Sequence, residues 1–513
     1  MSGNLSSLAK AFPKGGEHLA SSIIKQKKAS PGGTVRLSQL FGKPYPVVPG
    51  SSKSVKKQDS PCLTTSNMIE IQQATRLSNT KMRNLASVIN KSTPKNSGIE
   101  PYFQKKFAEA GQVLKDHFHS ESIKLEYKGE EVERTVVSCT NLDNFVQELL
   151  GVRSLSPHDS LSKLSLDNGG GFFKVSLSII DKNEEKRCLE SQKKTNKKFK
   201  NDSLSSGVKI IFIISIAENI SETHENIQKI LKPLDLEKIK FIVACDLKVA
   251  NLLCGIQSHS SKHPCCYCDV NSEFLEECGQ YRTFGSIRTL SRMFRESKSK
   301  DAKQFYNCTK EPILLKEDSS KVLDLIPPPE LHLLIGVVNH LFSGMKKLWP
   351  QASDWPHFLH IFPEVYHGGQ SFNGPACHKL LQNVDKLEQL VQVQNQFQVQ
   401  AWVSAFRDFQ AVVHGMFGMH LSDNYVDLIL KFKASCKDLP ITIFPKIHIV
   451  FHHVVQFIQK SNKSLGHFSE QAAESLHHDF SLHWNGRFKR NQDHPDYKDN
   501  LLKAVVDYNS KHI

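Results

Sequence analysis

Three acidic positions and one cysteine–histidine set are the residues of this chain with the types and spacing to do chemistry. Asp167 ends a short apolar run, Leu164-Ser165-Leu166-Asp167, and Asp246 ends another, Phe241-Ile242-Val243-Ala244-Cys245-Asp246. A third acid lies late in the chain, in Ser469-Glu470-Gln471-Ala472-Ala473-Glu474. Glu470 and Glu474 are four apart, which puts them on one face of a helix. Converging carboxylates suit hard divalent cations such as Mg²⁺ or Mn²⁺, which take oxygen ligands. Two such ions side by side can activate an attacking oxygen and stabilise a leaving oxygen in phosphoryl transfer. An Asp at a strand end also serves as a turn former or helix cap, so each acid has an ordinary structural use beside the catalytic one.

The second set is a Cys-x-x-Cys knuckle, Cys265-Cys266-Tyr267-Cys268, and a distant histidine cluster, His448-Ile449-Val450-Phe451-His452-His453. Two thiolates at that spacing can reach one Zn²⁺ but supply half of a tetrahedral site. His448 with His452, or His448 with His453, would complete it, tying together two distant parts of the chain. His259 and His263 are nearer but poorly spaced for the same metal.

The elements that must position these residues follow from the hydrophobic pattern. Residues 161–167 and Phe172–Ile180 flank Gly169-Gly170-Gly171 and read as a hairpin. Val208–Ala217 is a continuous apolar run of the kind a buried strand shows. His224–Leu234 reads as a helix, and residues 240–245 as a fourth strand. A helical crossover makes the fourth strand parallel to a neighbour, beside the first by the right-handed rule. Asp167 and Asp246 then meet at one end of the sheet, where ligands of open α/β sheets usually sit.

Around this core the chain divides into five parts. Residues 1–70 are rich in Ser, Lys, Gly and Pro and read as a disordered basic tail. They hold ten Lys and Arg against three Asp and Glu, half of the net charge of +14. Residues 71–155 show helical patterns, including Ser78–Ile89, Phe103–Phe118 and Asn141–Leu150, and read as a small helical module with a possible DNA-binding role. Residues 156–256 form the first part of the α/β core. Residues 257–440 carry the knuckle and a large all-helical insertion, with helices at Leu331–Leu348, Leu380–Val393, Ala401–His414 and Asn424–Cys436. Residues 441–513 supply the histidine pair and a closing helix, Glu470–Asn485.

The excess of positive charge favours nucleic acid or another anionic partner. Lys193, Lys194 and Lys197, in the loop after the second strand, and Arg487 and Lys489, after the closing helix, are the phosphate contacts this reading selects. Basic runs of this kind also serve nuclear localisation. No apolar run is long enough to span a membrane, and the scattered cysteines fit a reducing compartment rather than a disulfide framework.

The order of these features resembles RNase H-like DDE transposases. Cys265 follows Asp246 by 19 residues, a spacing similar to that of the hAT and CACTA groups. The far end is similar to Transib transposases and the related recombination-activating recombinase. There a histidine pair completes a zinc site with the cysteine pair, and a stretch like Ser469-Glu470-Gln471-Ala472-Ala473-Glu474 carries the catalytic Glu. The resemblance covers about residues 155–513. It implies an RNase H-like mixed sheet interrupted by the helical insertion. Asp167, Asp246 and Glu474 would hold two Mg²⁺ or Mn²⁺ ions, and Cys265, Cys268, His448 and His453 a structural Zn²⁺. The substrate would be double-stranded DNA at transposon ends, in the nucleus, cut and joined by a chain that can act as a homodimer. The Transib-like pattern also leads us to expect an acid near Leu331-His332-Leu333-Leu334-Ile335-Gly336, where this chain is apolar. Either Asp246 does that work, or the chain is a domesticated, catalytically inactive DNA-binding protein.

Overall fold

In a computed structural model, Leu85, Ile89 and residues 114–183, 210–258, 260–366 and 369–512 are described. The chain divides into two units, Met1–Phe107 and Ala108–Ile513. Of the first, Leu85 and Ile89 are described, and both are helical. The expected tail, the rest of the Ser78–Ile89 helix and the Lys193, Lys194 and Lys197 loop lie outside the described residues.

The second unit is mixed α/β, built on a six-stranded sheet in the order β1-β2-β5-β4-β3-β6. Strands β3 (Ser160–Gly169) and β4 (Phe172–Asp181) form the central hairpin. Its turn residues Gly170 and Gly171 have φ of 62° and 81°, the left-handed pair that a two-residue turn of matching twist requires. Strand β5 (Phe212–Glu218) joins β4 antiparallel. Its register shifts opposite Val175 and Ser176. There the Asn509 side chain accepts from the Ile213 amide at 2.8 Å and donates to its carbonyl at 2.9 Å, satisfying backbone that the ladder leaves open. Helix α2 (His224–Leu231) then carries the chain to β6 (Phe241–Cys245), which pairs parallel with β3.

Residues 118–139 correct the expected helical module. They are strands β1 (Phe118–Tyr127) and β2 (Glu130–Cys139), and β2 pairs with β5 to extend the same sheet. The physical reason is the turn between them. Lys128 and Gly129 have φ of 54° and 87°, and the β-branched Val132, Thr135, Val136 and Val137 follow. Helix α1 (Leu142–Val152) is helical as expected, as are Leu85, Ile89 and residues 114–116.

Every residue of β4 is buried, Lys174, Ser176 and Ser178 included, so both faces of the sheet centre are covered. After β6 come α3 (Leu247–Cys254), the knuckle, and α4 (Phe284–Glu296). The insertion is built on α5 (Glu330–Leu348), α6 (Gly374–Leu381), α7 (Val384–Val393), α8 (Gln400–Met416) and α9 (Tyr425–Lys437). It is not all helix, because Glu364–Tyr366 and Gly369–Ser371 form a two-stranded ribbon. Helices α10 (Pro445–His452) and α11 (Val454–Ser461) return the chain to the core. Helix α12 (Gln471–His483) packs on the β3–β4 hairpin, and α13 (Tyr497–Asn509) closes the sheet further along. Phe172 meets Phe480 and Trp484 edge-on at 5.4 and 5.8 Å. No helix among the described residues is long and apolar enough to cross a membrane.

Candidate metal centres

Cys265, Cys268, His448 and His453 come together as a fully buried cluster able to hold a metal ion such as zinc, their ligand atoms all within 4.8 Å of one another. Cys265 Sγ lies 3.4 Å from His453 Nε2, and Cys268 Sγ lies 3.3 Å from His448 Nε2. The two Nε2 atoms are 3.1 Å apart. Tetrahedral zinc with ordinary bond lengths needs about 3.5 Å between sulfur and nitrogen and about 3.3 Å between nitrogens, so the donor set fits the ion. The surroundings hold the ligands in place. His448 Nδ1 bonds the Leu275 carbonyl at 2.9 Å, which directs Nε2 at the cluster. Arg282 Nε donates to the carbonyls of Cys265 and Cys268 at 3.0 and 2.9 Å, fixing the knuckle backbone from behind. Burial, with His448 and His452 nearby, holds the His453 imidazole well below its usual pKa, so it is neutral, as a ligand must be. The choice left open between His452 and His453 falls to His453. His452 turns away to the Glu276 carbonyl at 2.9 Å, because a helix break at His453 rotates the two residues apart.

Two of the three acids, Asp167 and Glu474, meet at the end of the sheet, and Asp246 stands on the adjacent strand. The parallel register pairs Leu166 with Cys245, so Asp167 and Asp246 are the next residues on adjacent strands. Helix α12 brings Glu474 and His477 to Asp167, and one ligand atom from each of these three lies within 4.8 Å of the others. The approach depends on the glycine turn. A Cβ at Gly169 would stand 2.5 Å from the His477 ring, and one at Gly170 would stand 2.2 Å from Ser481 Oγ.

Asp246 is not part of that three-residue group. Its side chain accepts from the Val249 amide at 2.7 Å and caps α3. It still shares the electrostatic neighbourhood: Asp246 and Glu470 both raise the pKa of His332, and His332 in turn lowers that of Asp167. Glu470 is not equivalent to Glu474. It is buried at the start of α12, and its Oε1 accepts from the His332 amide at 3.0 Å and lies 2.9 Å from His332 Nδ1. Its Oε2 is buried with no hydrogen-bond partner among the described residues.

Sequence reasoning did not assign the cations of this site. His477 Nε2 lies 2.6 Å from Asp167 Oδ2, and His477 Nδ1 lies 2.7 Å from Lys174 Nζ. With the ammonium donating to Nδ1, the ring carries its proton on Nε2 and donates it to Asp167. Burial alone would raise the Asp167 carboxyl; the bonds from His477 and the Asn168 amide outweigh it and hold the group below its usual value. Burial pulls the Lys174 amine down to about 7, opposed by Asp167 and Glu474. Partial burial and the nearby Asp167 raise Glu474. Lys163, four residues before Asp167 and on the same face of β3, is also buried and donates to the Ser469 carbonyl at 2.9 Å, beside Glu330 and Glu470. The readable signal was a pair of lysines inside otherwise apolar strands, since a buried charge demands a partner. Of the expected phosphate contacts that are described, Lys489 is exposed, whereas Arg487 is tied to Asp507 at 2.6 Å.

A family profile described as a domain of unknown function, DUF8703, matches residues 172–300. The match takes in Asp246 and both knuckle cysteines, and stops short of Asp167, the histidine pair and Glu474. No curated protein matches the chain.

Proposed function

We propose that this chain is a transposon-derived DDE transposase or recombinase on an RNase H-like sheet, cutting and joining DNA. The observation that carries the reading is the β3–β6 register, which sets Asp167 beside Asp246 while α12 delivers Glu474 to Asp167. The order of acids, knuckle, histidine pair and late glutamate, similar to Transib transposases, supports it. Asp167, Asp246 and Glu474 would hold Mg²⁺ or Mn²⁺. The carboxylate-rich set fits such ions, and the unpartnered Oε2 of Glu470 adds a donor without a hydrogen of its own to satisfy. When bound, two such ions activate the attacking oxygen and stabilise the leaving one.

The chain's own residues have defined parts. His477, backed by Lys174, holds the Asp167 carboxylate in one orientation. The cap on α3 does the same for Asp246. The cysteine–histidine cluster clasps the insertion to the core and fixes where α10 and the segment leading to α12 begin. The test is a nicking and strand-transfer assay with Mn²⁺ on duplexes carrying the terminal sequences of the encoding element. Asp167→Ala or Asp246→Ala should abolish product, and retained activity in either would remove the catalytic assignment. A second reading, a domesticated DNA-binding protein that does not cut, is favoured by the prior engagement of Asp167 with His477 and of Asp246 with its helix. Tight binding without any product from the wild-type chain would select it.

A further inference from the structure

The five most exposed large apolar side chains among the described residues all lie in the helical insertion. They are Phe358, Phe362, Val365, Val393 and Phe397, between 63 and 81 % exposed. Two segments supply them, and the fold holds these together. Phe358 ends the short helix Asp354–Phe358, and Phe362 and Val365 follow it into the two-stranded ribbon. Val393 ends α7, and Phe397 begins the turn after it. Trp355 Nε1 donates to the Asn383 carbonyl at 3.1 Å, and Gln394 Nε2 lies 3.5 Å from Asp354 Oδ2, which ties the short helix to both ends of α7. A monomer rarely gathers this much exposed apolar surface in one region without a partner for it.

Charge selects the partner. Residues 348–378 and 387–406 contain no Lys or Arg, although the chain has 66 of them and a net charge of +14. A face without cations has nothing to hold a phosphate backbone. An acidic protein would be drawn to the basic surfaces instead. Two copies of so basic a chain, by contrast, can meet here without like charges opposing each other. Glu364 is exposed within the face, and Lys346 and Lys347 are exposed beside it at the end of α5, so a two-fold axis can set unlike charges together at the rim. The ribbon adds open backbone. Among the described residues no third strand pairs with Glu364–Tyr366 or Gly369–Ser371, and so small a ribbon gains from being covered. We infer that this face of the insertion docks a second copy of the chain about a two-fold axis, burying the five side chains. The inference does not depend on the proposed function.

The experiment is sedimentation equilibrium of the full zinc-loaded chain, freed of nucleic acid, over a concentration series at low and raised salt. The wild type should reach a dimer at micromolar concentration and keep it at raised salt, because apolar burial is not screened. Phe362→Lys combined with Val365→Lys should weaken the dimer at least about a hundredfold, since like charges would then face each other across the axis. Both side chains are exposed, so zinc content and the thermal transition should hold. Phe358→Ser adds no charge and should weaken the dimer about tenfold; it decides the question if the lysine pair loses its cooperative melt. Val152→Lys, at an exposed apolar position on α1, should leave the dimer unchanged. A monomeric wild type, a dimer that the folded insertion variants leave intact, or one that Val152→Lys disrupts equally overturns the inference.

Discussion

The two centres of this molecule are built on opposite terms. The cysteine–histidine cluster is completely buried, its four donors already stand at zinc-like separations, and Leu275 and Arg282 support it from behind. The acid site is half open, its carboxylates are held by hydrogen bonds and protein cations, and one of them caps a helix. A structural centre can be closed because nothing has to enter it, and its ligand energy becomes folding energy. On the proposed function the acid site would have to admit a large anionic substrate, and the internal cations His477 and Lys174 would balance its carboxylates until ions and substrate arrive.

The sharpest way to break this contrast is to remove the clasp. Cys265→Ser or His453→Ala should abolish the roughly one zinc per chain that a four-ligand site takes. Either should destabilise the insertion by several kcal/mol, lowering or splitting the thermal transition. His452→Ala, one residue away, should keep its zinc, and metal analysis of the three variants is the check. Loss of zinc from His452→Ala with retention in His453→Ala would reverse the assignment.

Next in size is the reverse pattern at the acid site. Asp167→Ala should lower Mn²⁺-dependent DNA nicking by at least about a hundredfold, since a lost metal ligand costs several kcal/mol of charge stabilisation. Zinc content should not change. If the variant loses its zinc as well, the two centres are not separate in the way described.

Lys163, buried against the Ser469 carbonyl beside Glu470 and Glu330, offers a pH test. Its folded pKa of about 8 lies below its ordinary value of 10.5, so above pH 8 the unfolded chain binds the extra proton. Stability therefore rises with pH from about 8 to about 10.5, and the cost of the buried charge is fully present below 8. The shift corresponds to an amount on the order of 3 kcal/mol. Denaturant midpoints across that range should climb less in Lys163→Met than in wild type; equal climbs would mean that another group titrates there.

The smallest effect separates the two uses of Asp246. Asp246→Asn keeps a side-chain oxygen for the Val249 amide and should change stability by a few tenths of a kcal/mol, whereas Asp246→Ala should cost about 1 kcal/mol. Both should lose nicking activity. A urea titration of the two variants resolves the cap from the charge.

What could be read beforehand followed the strength of the local pattern. The hairpin around Gly170-Gly171 and the parallel β6 were legible because glycine and continuous apolar runs have few alternative uses. The four zinc-cluster residues were legible because thiolates and imidazoles at those spacings have a specific geometry to meet. Strands β1 and β2 were missed, since Glu130, Glu131 and Glu133 mask an alternation that only the Lys128-Gly129 turn gives away. His332, His477 and Lys174 could not be assigned from periodicity. Each matters through a partner more than a hundred residues distant, or on another element, and a helix pattern does not tell a functional histidine from a packing one.

The span of the clasp has a consequence for how the chain is made. Cys268 and His448 are 180 residues apart. At a synthesis rate of about 5–20 residues per second, the knuckle waits roughly 10 to 40 s for its histidines. During that interval the sheet from β1 to β6 is complete, and its two aspartates are in place. Glu474, the remaining acid, emerges only after both histidines. A nascent chain thus has its clasp residues before its last acid, and a released fragment ending before residue 470 would hold all four cluster residues and no complete acid set.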